Sequence, residues 1–165
     1  MVPDSLLALA EDVVEAYRKR GWRMAAAECT TGGLFSAVMT TIPGVSAVFD
    51  RGFVVYSNES KTEVLKVKQD LMIQYGAVSQ EVVRALAQGV LTQTQVNWAI
   101  AETGIAGPNG GTPEKPVGTT YLALIHRSGK IQTRTFTFKG DRRSIRVQMV
   151  SAMLEWMLEL SIETN

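Results

Sequence analysis

The feature that most constrains this chain is an alternation of two periods. Apolar residues recur at helical spacing, give way to short apolar runs, and return, through the first two thirds of the sequence. Behind Pro3 and Asp4, with Asp4 as candidate N-cap, Leu6, Leu9, Ala10, Val13 and Tyr17 predict a helix. Arg18, Lys19 and Arg20 suit its negative end and Gly21 its stop. Trp22 to Ala27 reads as a buried strand, Glu28 to Gly33 as a turn, and Leu34 to Thr41 as a helix ended by Pro43-Gly44. Arg51 to Tyr56 is a second strand, rich in β-formers. Ser57-Asn58 opens a helix carrying Lys61, Val64 and Leu65, and Ser79 caps another carrying Val82, Val83, Leu86 and Val90. Strands are predicted over Gln95 to Ala101, Val117 to His126 and Ile131 to Phe138, the last two joined by a turn at Arg127-Ser128-Gly129. Gly140-Asp141 starts a closing helix with Ile145, Met149, Met153 (or Ala152), Trp156 and Leu160 as its buried stripe. Alternating elements predict an α/β domain, a three-layer α/β/α sandwich around a mixed sheet to which the hairpin adds an antiparallel strand.

Composition narrows the functions such a domain can serve. A chain of 165 residues fits one domain, residues 1–165, and can bury a real core without staples. One cysteine excludes an intrachain disulfide and an all-cysteine zinc cage, and one histidine excludes an imidazole-based one. A net charge of +1 offers no basic excess for a nucleic-acid backbone. No apolar run approaches a membrane span, and the acid-bearing N-terminal stretch does not read as a signal peptide. The expectation is a cytoplasmic domain that handles a small molecule, with no nucleic-acid or membrane partner.

Two glycine-bearing turns follow predicted strands: Glu28-Cys29-Thr30-Thr31-Gly32-Gly33, and the long segment Thr103 to Val117, with four Gly and three Pro. In open α/β sheets, ligands collect outside the carboxyl ends of strands, where such turns lie. The first turn opens a helix, so its N–H groups could hold an anion or serve only as a tight turn. Neither turn carries the Gly-Lys-Ser/Thr of a phosphate-binding P-loop. Cys29 has two readings: a thiol activated at a helix N-terminus, or an inert buried cysteine. Thr30 and Thr31 read as caps whose hydroxyls could also reach a ligand. Lys61, early in its helix, is either a solvated cation or a general base. Arg142, Arg143 and Arg146 crowd the positive end of the last helix, an arrangement that calls for an offsetting acid or a bound anion. His126 is read as a surface residue, and Trp98 and Trp156 as core.

Five segments, AECTTGG, RGFVVYSNESK, GAVS, TGIAGPNGGTPEKPVGT and FKGDRRSIR, stand in the order and spacing of one family. From about residue 5 to residue 160 the chain resembles the C-terminal domain of the competence/damage-inducible protein CinA, whose stand-alone members are nicotinamide-nucleotide amidases. The resemblance implies a mixed, mainly parallel five-stranded sheet. It also implies hydrolysis of nicotinamide mononucleotide to nicotinic acid mononucleotide and ammonia, without metal or other cofactor; the expected assembly is a homo-oligomer. The family's proposed Ser/Lys pair maps to Cys29 and Lys61, and the Cys after the serine maps to Thr30. Thr31, Gly32, Gly33, Tyr56 and Lys61 keep the family's identities and would shape the amide site, with Thr31 counted beside Cys29 and Lys61 in the chemistry. Thr103 stands where Ser is usual and Asn109 where Asp is usual. Gly104, Gly107, Lys115, Arg142 and Arg146 match, and would lie near ribose and phosphate. Sulfur in place of oxygen shifts the attack geometry, and misplacement of about 1 Å costs about 10²-fold. The expected function is therefore a weak or lost nucleotide amidase, with a silent nucleotide-binding or interaction domain as the alternative.

Overall fold

The computed structural model describes residues 2–163. Helix α1 (Asp4–Lys19) leads into β1 (Met24–Glu28) and α2 (Leu34–Thr41). A 3₁₀ turn at Val45–Ala47 precedes β2 (Phe49–Val54), followed by three helices, α3 (Asn58–Leu65), α4 (Gln69–Tyr75) and α5 (Gln80–Gln93). Strands β3 (Trp98–Gly104), β4 (Thr119–His126) and β5 (Ile131–Thr137) then run to the closing helix α6 (Arg142–Glu163). The sheet order is β2-β1-β3-β4-β5. Strand β1 pairs in parallel with both β2 and β3, while β4 is antiparallel to its two neighbours, so four of the five strands point the same way.

Both faces of the sheet are covered, and the strands show why they read as continuous apolar runs. Met24, Ala26, Trp98, Ile100, Leu122 and Leu124 face α1, α2 and α6. Ala25, Ala27, Ala99, Ala101, Ala123 and Ile125 face the opposite core, built on α5 with Leu65 of α3 and Met72 of α4. The small residues of β1 let α5 lie close against the sheet, and the large apolar volume sits on the other side. Trp98 and Trp156 are core residues, as is the expected stripe of α6. His126 is half-buried against the Trp98 ring.

Several local expectations shift, strand bounds among them: β1 starts at Met24 and not Trp22, β3 runs Trp98–Gly104 and not Gln95 to Ala101, and β4 starts at Thr119 and not Val117. Pro3, not Asp4, occupies the N-cap of α1, so Asp4 contributes as an acid in the first turn and not as a capping side chain. Strand β2 begins at Phe49 and ends at Val54, because Tyr56 and Ser57 already lead into α3. Helix α4 occupies a stretch the sequence leaves unassigned; its seven residues bury only Met72. The caps at Ser57 and Ser79 form as expected, accepting from the N–H groups of Ser60 and Val82. Among the described residues no helix is long and apolar enough to cross a membrane.

Candidate active site

The carboxyl ends of β1 and β3, two parallel neighbours, deliver the two glycine-bearing turns to one edge of the sheet. The first is pinned from beneath. Glu28, the last residue of β1 and fully buried, accepts hydrogen bonds from the N–H groups of Gly33, Phe35 and Ser36 and from the hydroxyls of Thr31 and Ser36, at 2.6–3.0 Å. The amides of Gly33, Phe35 and Ser36 surround the N-terminus of α2, so the protein fills that site with its own carboxylate. This decides one open question: the turn is a tight, internally capped structure, not an anion cradle at the helix end. Gly52 on β2 is required for it, since a Cβ there would come within 2.0 Å of the Ser36 Oγ.

Arg146 holds the same turn from the other side, donating to the carbonyls of Thr30 (3.1 Å) and Thr31 (2.5 Å). The two turns are stitched together by the Thr30 hydroxyl, which donates to the Gly104 carbonyl at 2.9 Å. Gly104 itself has no room for a side chain: a Cβ would lie 2.6 Å from Met149 Cε and 3.0 Å from the Thr119 carbonyl oxygen. Thr103 donates to the Ala77 carbonyl (2.9 Å), and Lys115 reaches the carbonyls of Tyr75 (3.0 Å) and Val78 (2.7 Å). Thr103 thereby fastens the end of β3, and Lys115 the β3–β4 loop, to the segment before α5.

Between these turns and α3 lies a cleft of about 310 Å³. It brings together Cys29, Thr30, Tyr56, Lys61, Thr103, Gly104, Gly107, Asn109 and Arg142, nine of the residues singled out by sequence. Thr31, Gly32, Gly33, Lys115 and Arg146 do not line it; they sit behind the wall or brace it. Asn58, Ala77, Val78, Ile105, Ala106 and Gly110 complete the lining and were not singled out, although Asn58 and the Ala77-Val78 pair lie inside the YSNESK and GAVS segments. Lys61 and Arg142 are the only charged residues of the lining, and both are cations.

Lys61 is buried, and its ammonium nitrogen lies 2.9 Å from the Tyr56 carbonyl and 3.5 Å from that of Ser57. Arg142 spans the cleft mouth, donating to the Gly107 carbonyl at 2.9 Å and to the Tyr56 hydroxyl at 3.1 Å. The offsetting acid that the arginine cluster called for is Asp141, whose carboxylate accepts from the Ser144 N–H and is held below the usual carboxylate range by that bond. Cys29 is buried to 4% exposure. Burial pushes its thiol well above the ordinary value, negative charge on Glu102 or Glu28 pushes the same way, and Lys61 pulls against them. A thiolate here is thus disfavoured, first because the sulfur is dry and then because the helix end beside it is already occupied by acid.

The family model for the CinA C-terminal domain matches residues 6–161. The nicotinamide-nucleotide amidohydrolase PncC of Escherichia coli K12 is 42% identical over 165 residues, covering all of both chains. A protein of the same name from Enterobacter agglomerans is 43% identical over 150 residues, covering 91% of this chain and 92% of that one. Among solved structures, a competence/damage-inducible protein of Agrobacterium tumefaciens superposes with a TM-score of 0.93 at 37% identity, covering 97% of this chain and 98% of that one. The match over residues 6–161, the identities and the superposition agree: this chain belongs to the CinA C-terminal domain family.

Proposed function

We propose that this chain is a cytoplasmic nucleotide amidase of low activity, acting on nicotinamide mononucleotide or a related nucleotide amide. The observation that carries the reading is the meeting of Cys29 and Lys61 in one cleft whose only charges are cationic. An anionic nucleotide suits that field, and the relatives from Escherichia coli and Enterobacter agglomerans are named nicotinamide-nucleotide amidohydrolases. In the proposed step Lys61 first gives one proton to solvent, and its neutral amine then takes the thiol proton as the Cys29 sulfur attacks the amide carbon. That nitrogen returns a proton to the departing ammonia, and water then cleaves the thioester to the acid. Tyr56 and Asn58 flank the amide end, and Arg142 with the Gly104–Gly110 loop receives the phosphate end. Thr31, Gly32, Gly33, Lys115 and Arg146 act by holding the walls of the cleft.

Low activity follows from the state of the thiol. Kept dry by burial and set above the carboxylate of Glu28, it begins the reaction as a neutral group whose proton is hard to remove. The same observation favours a second reading, a silent domain that binds the nucleotide without turning it over. Ammonia release from nicotinamide mononucleotide separates the two. If the defect lies in the attacking atom, Cys29→Ser raises the rate at least about tenfold, equivalent to ~1.4 kcal/mol of barrier. No release from wild type, from Cys29→Ser, or from Cys29→Ser with Thr30→Cys, with ligand binding intact, establishes the silent domain.

A further inference from the structure

Beneath the cleft, two glutamates face each other across the sheet. Glu28 of β1 and Glu102 of β3 are register partners on adjacent parallel strands, and neither has any exposed surface. Glu28 uses both oxygens on the five donors described above. Glu102 is lopsided: Oε1 accepts from the N–H groups of Cys29 (2.7 Å) and Thr31 (2.8 Å), while Oε2 is buried with no hydrogen-bond partner among the described residues. The Thr31 hydroxyl lies 2.7 Å from Glu28 Oε2 and 2.9 Å from Glu102 Oε1, and it has one hydrogen to give.

No cation is spent on either acid. Lys61, from α3, is bound to the carbonyls of Tyr56 and Ser57; Arg146, from α6, is bound to those of Thr30 and Thr31. Helix α2 brings no titratable side chain, and the β4 register partner of Glu102 is Leu122. Two dry carboxylates sharing one hydroxyl cannot both hold a charge cheaply. The donors single out Glu28 as the one that does.

We propose that Glu102 is the positioning residue of the turn that presents Cys29, and that it works as a neutral acid. Its Oε1 fixes the amides of Cys29 and Thr31, and a proton on Oε2 leaves Glu28 as the pair's only anion. Burial pushes the Glu102 carboxyl upward against the pull of its bonds from Thr31 and Cys29, and Glu28 pushes it the same way. The neutral form matters to the chemistry above it, because an ionised Glu102 would set a second negative charge beside a thiol that has to lose a proton. The inference rests on Cys29 as the residue offered to the ligand, and its test uses neither substrate nor turnover.

The test is urea unfolding of wild type and Glu102→Gln from pH 4 to 9. Glutamine imitates the protonated acid at every pH. If folded Glu102 keeps a proton that the unfolded chain has lost, wild type loses stability relative to the variant as pH rises above about 4.3. The loss approaches tenfold in the folding equilibrium per pH unit until the buried carboxyl titrates. A difference independent of pH over the whole range overturns the neutral acid. Amide hydrogen exchange tests the positioning: Cys29 and Thr31 should stay protected in wild type and Glu102→Gln and lose protection in Glu102→Ala. Unprotected amides in wild type overturn it even if the alanine variant fails to fold. Failure of either arm leaves amide hydrolysis to be judged by ammonia release, and absence of turnover leaves both arms intact.

Discussion

At the residue scale, the chemistry of this cleft is decided by what surrounds one sulfur atom. Cys29 sits where burial first, and then the carboxylate of Glu28 below, oppose ionisation, while one lysine beside it favours it. Removing the lysine removes the only favourable charge. Lys61→Ala should therefore slow alkylation of Cys29 by iodoacetamide several-fold at pH 8, and move the pH profile further to the alkaline side. The wild-type profile should itself lie alkaline of an ordinary cysteine, whose midpoint is near about 8.5. Equal rates in the two proteins would show that Lys61 does not act on the thiol. A stopped or quenched alkylation series, read by mass spectrometry, is sufficient.

At the scale of elements, most helices and the caps of α3 and α5, though not the cap of α1, are legible in the sequence because their signals are local. Ser57 and Ser79 cap as their positions require, and α2 spans Leu34 to Thr41 as its flanking glycine and Pro43-Gly44 pair imply. What escaped depends on partners distant in sequence. Helix α4 has too few buried residues to announce itself by period. The role of Glu28 required knowing that its carboxylate would fold forward onto α2, and that of Glu102 required the register of β1 against β3. A lone glutamate following an apolar run was the available signal for both. Most of the cleft lining was found through segments that resemble a known family, while its bracing by Lys115 and Arg146 emerged only from the contacts. Gly89 of α5 shows how contact overrides local preference. Helix propensity alone favours Gly→Ala there by about 1 kcal/mol. A Cβ at Gly89, however, would lie 2.3 Å from the Leu65 carbonyl oxygen, which is backbone and cannot rotate away. Gly89→Ala should destabilise by about 1–3 kcal/mol, the usual cost of overpacking. A rise in the urea midpoint would mean that α3 can shift without loss.

For the whole molecule, ligand binding should be visible as stability. Nicotinic acid mononucleotide at one hundred times its Kd adds about 2.7 kcal/mol to the folded state. For a chain of this size that raises Tm by roughly 5–11 °C, at roughly 2–4 °C per kcal/mol. Arg142→Ala should shrink the shift at fixed ligand concentration, since Arg142 lines the cleft and is exposed at its mouth. No shift at millimolar nucleotide, in a thermal melt of the wild-type protein, would remove the nucleotide from consideration.

The carboxylate of Glu28 under α2 has a consequence for how the cleft responds to its surroundings. A helix end neutralised from within contributes little field to an outside anion, so attraction must come from the side chains of Lys61 and Arg142. Arg142 is exposed, and ions in solution screen an exposed charge; Lys61 is buried, and they screen it far less. Raising the ionic strength should therefore weaken capture of the nucleotide at the rim while leaving the interior of the cleft electrically unchanged. Attraction and architecture are carried by different residues here, and one can be retuned without disturbing the other.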